Sequence, residues 1–268
     1  MTQPPKGRRA LVTGSFQGIG LAIAEALAAE HCHLVLHGLG NAEQQEAACQ
    51  AVTKAGAMSV ECHSHDLSDP RQVESLMKAA LSGGALDILV NNAGIQQPAP
   101  LADVPADVWD RILAINLSAA FHTMKAAMPG MAARGYGRVV NIASVHGLVA
   151  SVNKAPYVAA KFGLIGLSKV AALEYASAGS REQGGVTVNC ICPGWTETAI
   201  IEPQIMARAA QLGGDRDAGA RELLREKQPS QRTSQPLEIG QLVAWLSHPI
   251  AHNITGTAIP IDGGWTSQ

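Results

Sequence analysis

The stretch "RALVTGSFQGIGLAIAEALAAE", Arg9 to Glu30, decides the fold. It opens on a short apolar run, turns through Gly14, Gly18 and Gly20, and continues as an alanine-rich helical pattern with no charge before Glu25. Outward from it, "HLVLHG", "EQQEAACQAVTKAG" and "MSVECH" follow, so strand-like and helix-like runs alternate as βαβαβ. That alternation predicts a parallel sheet with helices on both faces. It continues through "LDILVNNAG", a helix from about Ala106 to Arg134, "GRVVNIAS", a helix from about Ala155 to Ala176, "VTVNCICPG" and a last strand near "TAIPIDGG". The expected architecture is α/β, a doubly wound parallel sheet of about seven strands in a single domain over 1–268. A polar, helix-forming segment at about 196–235, inserted after the sixth strand, reads as a helical substrate lid.

Of 268 residues 47% are hydrophobic, enough for one large buried core. Lys and Arg total 20 against 22 Asp and Glu, and no basic run marks a nucleic-acid or anionic-membrane partner; the ligand is expected to be small. No apolar segment precedes the first strand, and no window reads as the roughly 20 apolar residues that span a bilayer, so a soluble cytoplasmic protein is expected. Five cysteines, an odd number, read as free thiols. Cys190 and Cys192 alternate along a strand and are expected in the core on one face. His63 and His65 read the same way, as structural residues rather than metal ligands.

The glycine-rich turn between strand and helix has a chemical reading. Glycines let the backbone approach a pyrophosphate closely, while the helix N-terminus offers free N–H groups and partial positive charge. Inside a βαβ unit this is a dinucleotide site.

"TGSFQGIG", "NNAG", the Asn116 of "INLS", Ser144, and Tyr157 with Lys161 stand in the order and spacing of the short-chain dehydrogenase/reductase family, which the chain resembles over nearly its whole length. The resemblance implies a Rossmann-type fold and cofactor contacts from Thr13, Gly14, Ser15, Gln17, Gly18, Ile19 and Gly20 in the loop. It adds Gly38 after the second strand, Asp66 and Leu67 after the third, Asn92, Ala93 and Gly94 after the fourth, and Pro193, Gly194, Trp195 and Thr198 after the sixth, with Tyr157 and Lys161. It also implies a homotetramer, with the C-terminal "DGGWTSQ" at an interface. Cofactor choice rests on the residues meeting the ribose 2′ position. Gly38 stands where NAD-preferring relatives carry Asp, but no Lys or Arg lies between Arg9 and Lys54, and Ser15, Phe16 and Gln17 are uncharged. A 2′-phosphate would go unpaired, and NAD is expected.

A phenol with a pKa of about 10 is a poor base at neutral pH. Lys161, four residues after Tyr157 and so on the same helix face, is expected to favour the phenolate. Ser144 would hydrogen-bond the reacting oxygen, and the resemblance gives Asn116 the role of holding a water that links Lys161 to solvent. These four residues form the expected catalytic set for hydride transfer, which needs no metal.

A second lysine, Lys154, precedes Tyr157 by three positions and needs another purpose. Gln96, His146 and Gln204 also carry donors, and such a set suits a carboxylate near the substrate hydroxyl, because a buried anion must be paired. With "NNAGIQ", "ASVHGLVAS", "CPGW" and "DGGWTSQ", the set resembles the family members that oxidise (R)-3-hydroxybutyrate to acetoacetate. That implies Gln96, His146, Lys154 and Gln204 on the carboxylate, with Trp195 and Trp265 walling the methyl end. Another small hydroxy acid, a sugar, a 3-oxoacyl thioester, or a cofactor-sensing protein without turnover are the alternatives.

Overall fold

Period-2 alternation along each strand sends neighbouring residues into opposite core layers. Ala10 and Val12 of β1 (Arg9–Thr13), Leu34 and Leu36 of β2 (His33–His37), and Ile88 and Val90 of β4 (Ile88–Asn91) pack in one layer. Leu11, Val35 and Leu89 pack in the other. The computed structural model describes residues 7–199 and 201–267. With β3 (Ser59–His63), β5 (Tyr136–Ile142), β6 (Gly185–Pro193) and β7 (Ala258–Ile261), the strands form one seven-stranded sheet in the order β3-β2-β1-β4-β5-β6-β7. Every pairing is parallel. The order reverses between β1 and β4, which opens a crevice beyond the carboxyl ends of these strands.

The first layer is covered by α1 (Gly18–Ala29), α2 (Ala42–Ala55) and α9 (Pro236–Leu246), the second by α3 (Pro70–Ser82), α5 (Ala119–Arg134) and α6 (Ala155–Tyr175). Asn41 and Gln44 cap each other's end of α2, and Asp69 with Pro70 starts α3. The helix expected from Ala106 to Arg134 is interrupted. It comprises α4 (Ala106–Leu113), a π-helical turn over Ala114–Ser118, and α5. Such turns recur at functional sites, and this one contains Asn116.

After β6 the chain makes a helical excursion through α7 (Glu202–Gln211) and α8 (Arg216–Arg225). Its base is closed where Ser234 donates to the Trp195 carbonyl at 2.8 Å and Glu197 donates to the Ser234 carbonyl at 2.9 Å. Ile201, Ile205 and Leu223 pack between the two helices.

Cys49 on α2 and Cys62 on β3 face each other with their Cα atoms 7.5 Å apart, because the helix that follows β2 lies over β3. Cys190 and Cys192 are buried together, as expected of one strand face. One expectation is corrected: α6 is long and apolar enough to cross a bilayer by length and composition. Nevertheless 44% of its window is buried within the fold, and it brings Lys161 into the core.

Candidate active site

The crevice is a cleft of about 440 Å³ running from β2 and β3 to the turn after β7. The glycine-rich loop forms its first wall. Gly14 and Gly18 have φ of +65° and +58°, and a Cβ on Gly20 would overlap the Gly14 carbonyl, so the loop can close onto itself only as glycine. Gln17 precedes α1 without a side-chain cap, and the first turn of α1 has no acidic residue. This is a cradle with free amides for a dinucleotide pyrophosphate.

Most expected contacts converge. Gly14, Gln17, Gly18, Ile19, Gly20, Gly38, Asp66, Leu67, Asn92, Ala93, Gly94, Pro193, Gly194 and Thr198 line the cleft. Thr13 and Ser15 do not. The Thr13 hydroxyl accepts the Asn92 and Ala93 N–H groups at 3.0 and 3.1 Å, holding the loop after β4. Ser15 is fully buried and exchanges hydrogen bonds with the His37 backbone, accepting at 3.0 Å and donating at 3.3 Å. Both shape the site from behind.

At the end of the cleft where the adenosine is expected, the structure explains Gly38. A Cβ there would fall 2.6 Å from the Phe16 ring, so the space an acidic side chain would need is filled. Asp66 is held below the usual carboxylate range by hydrogen bonds from the Ser68 N–H and hydroxyl at 2.9 and 2.8 Å. His37 lines the cleft with both ring nitrogens engaged: Nε2 donates to the His65 carbonyl at 2.9 Å, and Nδ1 accepts the Gly14 N–H at 3.4 Å. Burial pushes its pKa down to about 4, so it is a neutral brace between the glycine loop and the β3 end. His63 and His65 stand with ring centroids 6.0 Å apart.

At the other end Ser144, Tyr157 and Lys161 meet as expected. Ser144 follows β5 and accepts the His146 N–H at 3.1 Å; Tyr157 lies in the first turn of α6, and Lys161 one turn on. Opposing influences act on the phenol. Burial pushes Tyr157 up, with the Ser144 hydroxyl pulling the other way. Lys161 is buried, donates to the Ile142 carbonyl at 2.8 Å, and has its own pKa pushed down to about 8 by desolvation. At about 8 it still carries its charge at neutral pH, 5.6 Å from the Tyr157 ring centre. The Asn116 side-chain amide exchanges hydrogen bonds with the Ile95 backbone, donating and accepting at 2.9 Å. Asn116 and Lys161 do share a small cavity of about 10 Å³, near the room that one water needs.

Gln96, His146, Lys154, Trp195, Gln204 and Trp265 all line this end of the cleft. Lys154 Nζ donates to His146 Nε2 at 3.2 Å, which places the imidazole proton on Nδ1. Burial first, and then the Lys154 charge, push His146 down to about 4. Burial also lowers Lys154. The Trp265 ring stands edge-on to His146 at 5.5 Å and 5.7 Å from Trp195, and Lys154 lies 5.5 Å over Trp195. A half-buried cation against an indole and a neutral imidazole is suited to a small anion.

Residues 8–208 match the short chain dehydrogenase family. The chain belongs to that family. This short-chain dehydrogenase is 47% identical over 264 residues to a D-beta-hydroxybutyrate dehydrogenase of Cupriavidus necator, covering 98% of this chain and 99% of that one. It is 41% identical over 263 residues to a D-beta-hydroxybutyrate dehydrogenase of Rhizobium meliloti, covering 97% and 99%. Among solved structures, L-sorbose reductase from Gluconobacter frateurii complexed with NADPH and L-sorbose superposes with a TM-score of 0.92 at 28% identity, covering both chains fully. The dehydrogenase is an oxidoreductase whose family uses a nicotinamide cofactor.

Sequence reasoning missed His37, Leu39, His65 and Arg111, all of which line the cleft of this dehydrogenase. The first three adjoin expected residues and were within reach. Arg111, on α4, gave no local signal; only the fold brings its charge to bear on Asp66.

Proposed function

We propose that this dehydrogenase catalyses the reversible oxidation of (R)-3-hydroxybutyrate to acetoacetate with NAD. The observation that carries the reading is Lys154 held against His146 at 3.2 Å, at the Tyr157 end of the cleft. Two relatives that bear this activity in their names, at 47% and 41% identity, support it. The substrate carboxylate would meet Lys154, whose ammonium keeps two further donors, with Gln96, His146 and Gln204 around it. Trp195 and Trp265 would close on the methyl group. When bound, the nicotinamide accepts the hydride from the carbinol carbon. Tyr157 takes the hydroxyl proton, Ser144 holds that oxygen, and Lys161, sharing a cavity with Asn116, links the phenol to solvent.

The preference for NAD is supported by the cleft's charges. Among the described residues that line it, the cations are Arg111, Lys154 and Lys161. The last two belong to the catalytic end, and the charge of Arg111 acts on Asp66. The excursion of α7 and α8, which brings Gln204 to the cleft, serves as the substrate lid. The exposed Phe121 of α5 and Phe162, Val170 and Leu173 of α6 are apolar faces for a homotetramer, which analytical ultracentrifugation would test. The activity is tested by a spectrophotometric screen of hydroxy acids and neutral alcohols with both cofactors. Preference for 3-hydroxybutyrate with NAD is expected, and preference for a neutral alcohol refutes the substrate.

A further inference from the structure

Gln228, just after α8, is 1% exposed, and both ends of its amide are used. Its Oε1 accepts the Trp195 backbone N–H at 3.1 Å, and its Nε2 donates to the Arg232 carbonyl. Two glycines make room for it. A Cβ on Gly194 would stand 2.8 Å from Gln228 Oε1, and one on Gly263 would stand 2.7 Å from Gln228 Cγ. Ser230, two residues on, donates to the Gly263 carbonyl at 2.9 Å. Gln228 is therefore the joint of three segments: the end of β6, the turn after β7, and the return leg of the α7–α8 excursion.

Each of those segments delivers one wall of the substrate end. The first carries Trp195, the second Trp265, and the third leads back from Gln204. The two indoles are in contact, and between them they touch Lys154 and His146. A shift of the Trp195 backbone would thus reach the groups assigned to the carboxylate. A part-buried N–H deprived of its acceptor favours such a shift, because leaving it unpaired is costly.

We propose that Gln228 is a positioning residue: by tying the Trp195 peptide to the excursion, it sets the geometry of the substrate end and not that of the cofactor. This rests on the reading above that Trp195 and Trp265 enclose the substrate.

The test uses Gln228→Met, which keeps length and loses both hydrogen bonds, in the full chain. KM for 3-hydroxybutyrate should rise about tenfold or more, with kcat and the Kd for NAD within about threefold of the parent. In a Trp109→Phe, Trp245→Phe background, the remaining indole emission should lose most of its response to acetoacetate added with NAD. Gln228→Glu keeps an acceptor for Trp195, and when protonated regains a donor for Arg232. Its kcat/KM relative to the parent should therefore be higher near about pH 5 than near about pH 8. An unchanged KM in Gln228→Met, an equal loss of NAD and substrate binding, or a pH-independent ratio for Gln228→Glu would each overturn the proposal. If Gln228→Met does not fold, the Gln228→Glu ratio decides. If the parent does not oxidise 3-hydroxybutyrate, the substrate assignment fails by itself, and the same comparison is made on the alcohol that the parent does oxidise.

Discussion

Among the described residues that line the cleft, Lys154 is the cation at the substrate end free to meet a carboxylate, since Lys161 is committed to the Ile142 carbonyl, and replacing it by alanine removes that charge. Lys154 is half-buried, donates to His146 Nε2 at 3.2 Å, and carries its charge against an unfavourable burial. A substrate anion reverses that penalty. Removing one member of such a charge-assisted pair costs about 2–5 kcal/mol. Partial solvent access places this case at the lower end, so kcat/KM for 3-hydroxybutyrate should fall by about 30-fold or somewhat more. The assay compares the acid with its methyl ester at saturating NAD. The ester, with no full charge, should react poorly with the parent yet lose much less on substitution. The unfolding midpoint and NAD affinity should hardly change. A second signature follows from His146, which the Lys154 charge helps to hold at about 4. Without that charge its pKa rises, so toward acid pH an imidazolium partly replaces the ammonium and the deficit narrows. Equal losses for acid and ester would refute the reasoning. Lys154 would then be serving only as the residue that leads into α6, with the substrate unassigned within the family.

Three further outcomes are expected. Tyr157→Phe should lower turnover by about 10²-fold or more while cofactor binding, measured by fluorescence titration, persists; near-normal turnover removes Tyr157 from the proton transfer. Leu39 is 64% exposed beside Gly38 at the adenosine end, so Leu39→Arg should narrow the NAD over NADP preference in kcat/KM by giving a 2′-phosphate a partner. An unaltered ratio would place the 2′ position elsewhere. His37 titrates at about 4 in the fold against 6.5 when unperturbed, so the unfolded chain binds its proton first. The stability present above pH 6.5 is then lost as pH falls toward 4, by up to about 3 kcal/mol from this residue. Urea unfolding of His37→Phe across that window should show a shallower pH slope, with His146 supplying the remainder. A slope equal to the parent's would mean that His37 is not held neutral.

Much of this protein is written locally in its sequence. The β1–glycine loop–α1 unit was legible because strand alternation, the turn and helix periodicity are properties of adjacent residues. The joint presentation of Tyr157 and Lys161 was legible because four positions are one helical turn. The cluster of Gln96, His146, Lys154 and Gln204 was legible only through resemblance. What local pattern could not contain is what these groups do to one another. The direction of the Tyr157 pKa depends on how deeply the phenol is buried and on the Ser144 hydroxyl beside it, and Lys161 is held by the carbonyl of Ile142, 19 residues away in sequence. The absence of a side chain at Gly38 is explained by the Phe16 ring, the bracing of Gly14 by His37, and the setting of Trp195 by Gln228, 33 residues distant. The π turn that presents Asn116 to Ile95 is set by a change in backbone hydrogen bonding, which the helical pattern of the sequence did not reveal. Desolvation and side-chain partnership are sums over neighbours that only the folded chain brings together, and so the tertiary structure decided the electrostatics of a site whose members the sequence had already named.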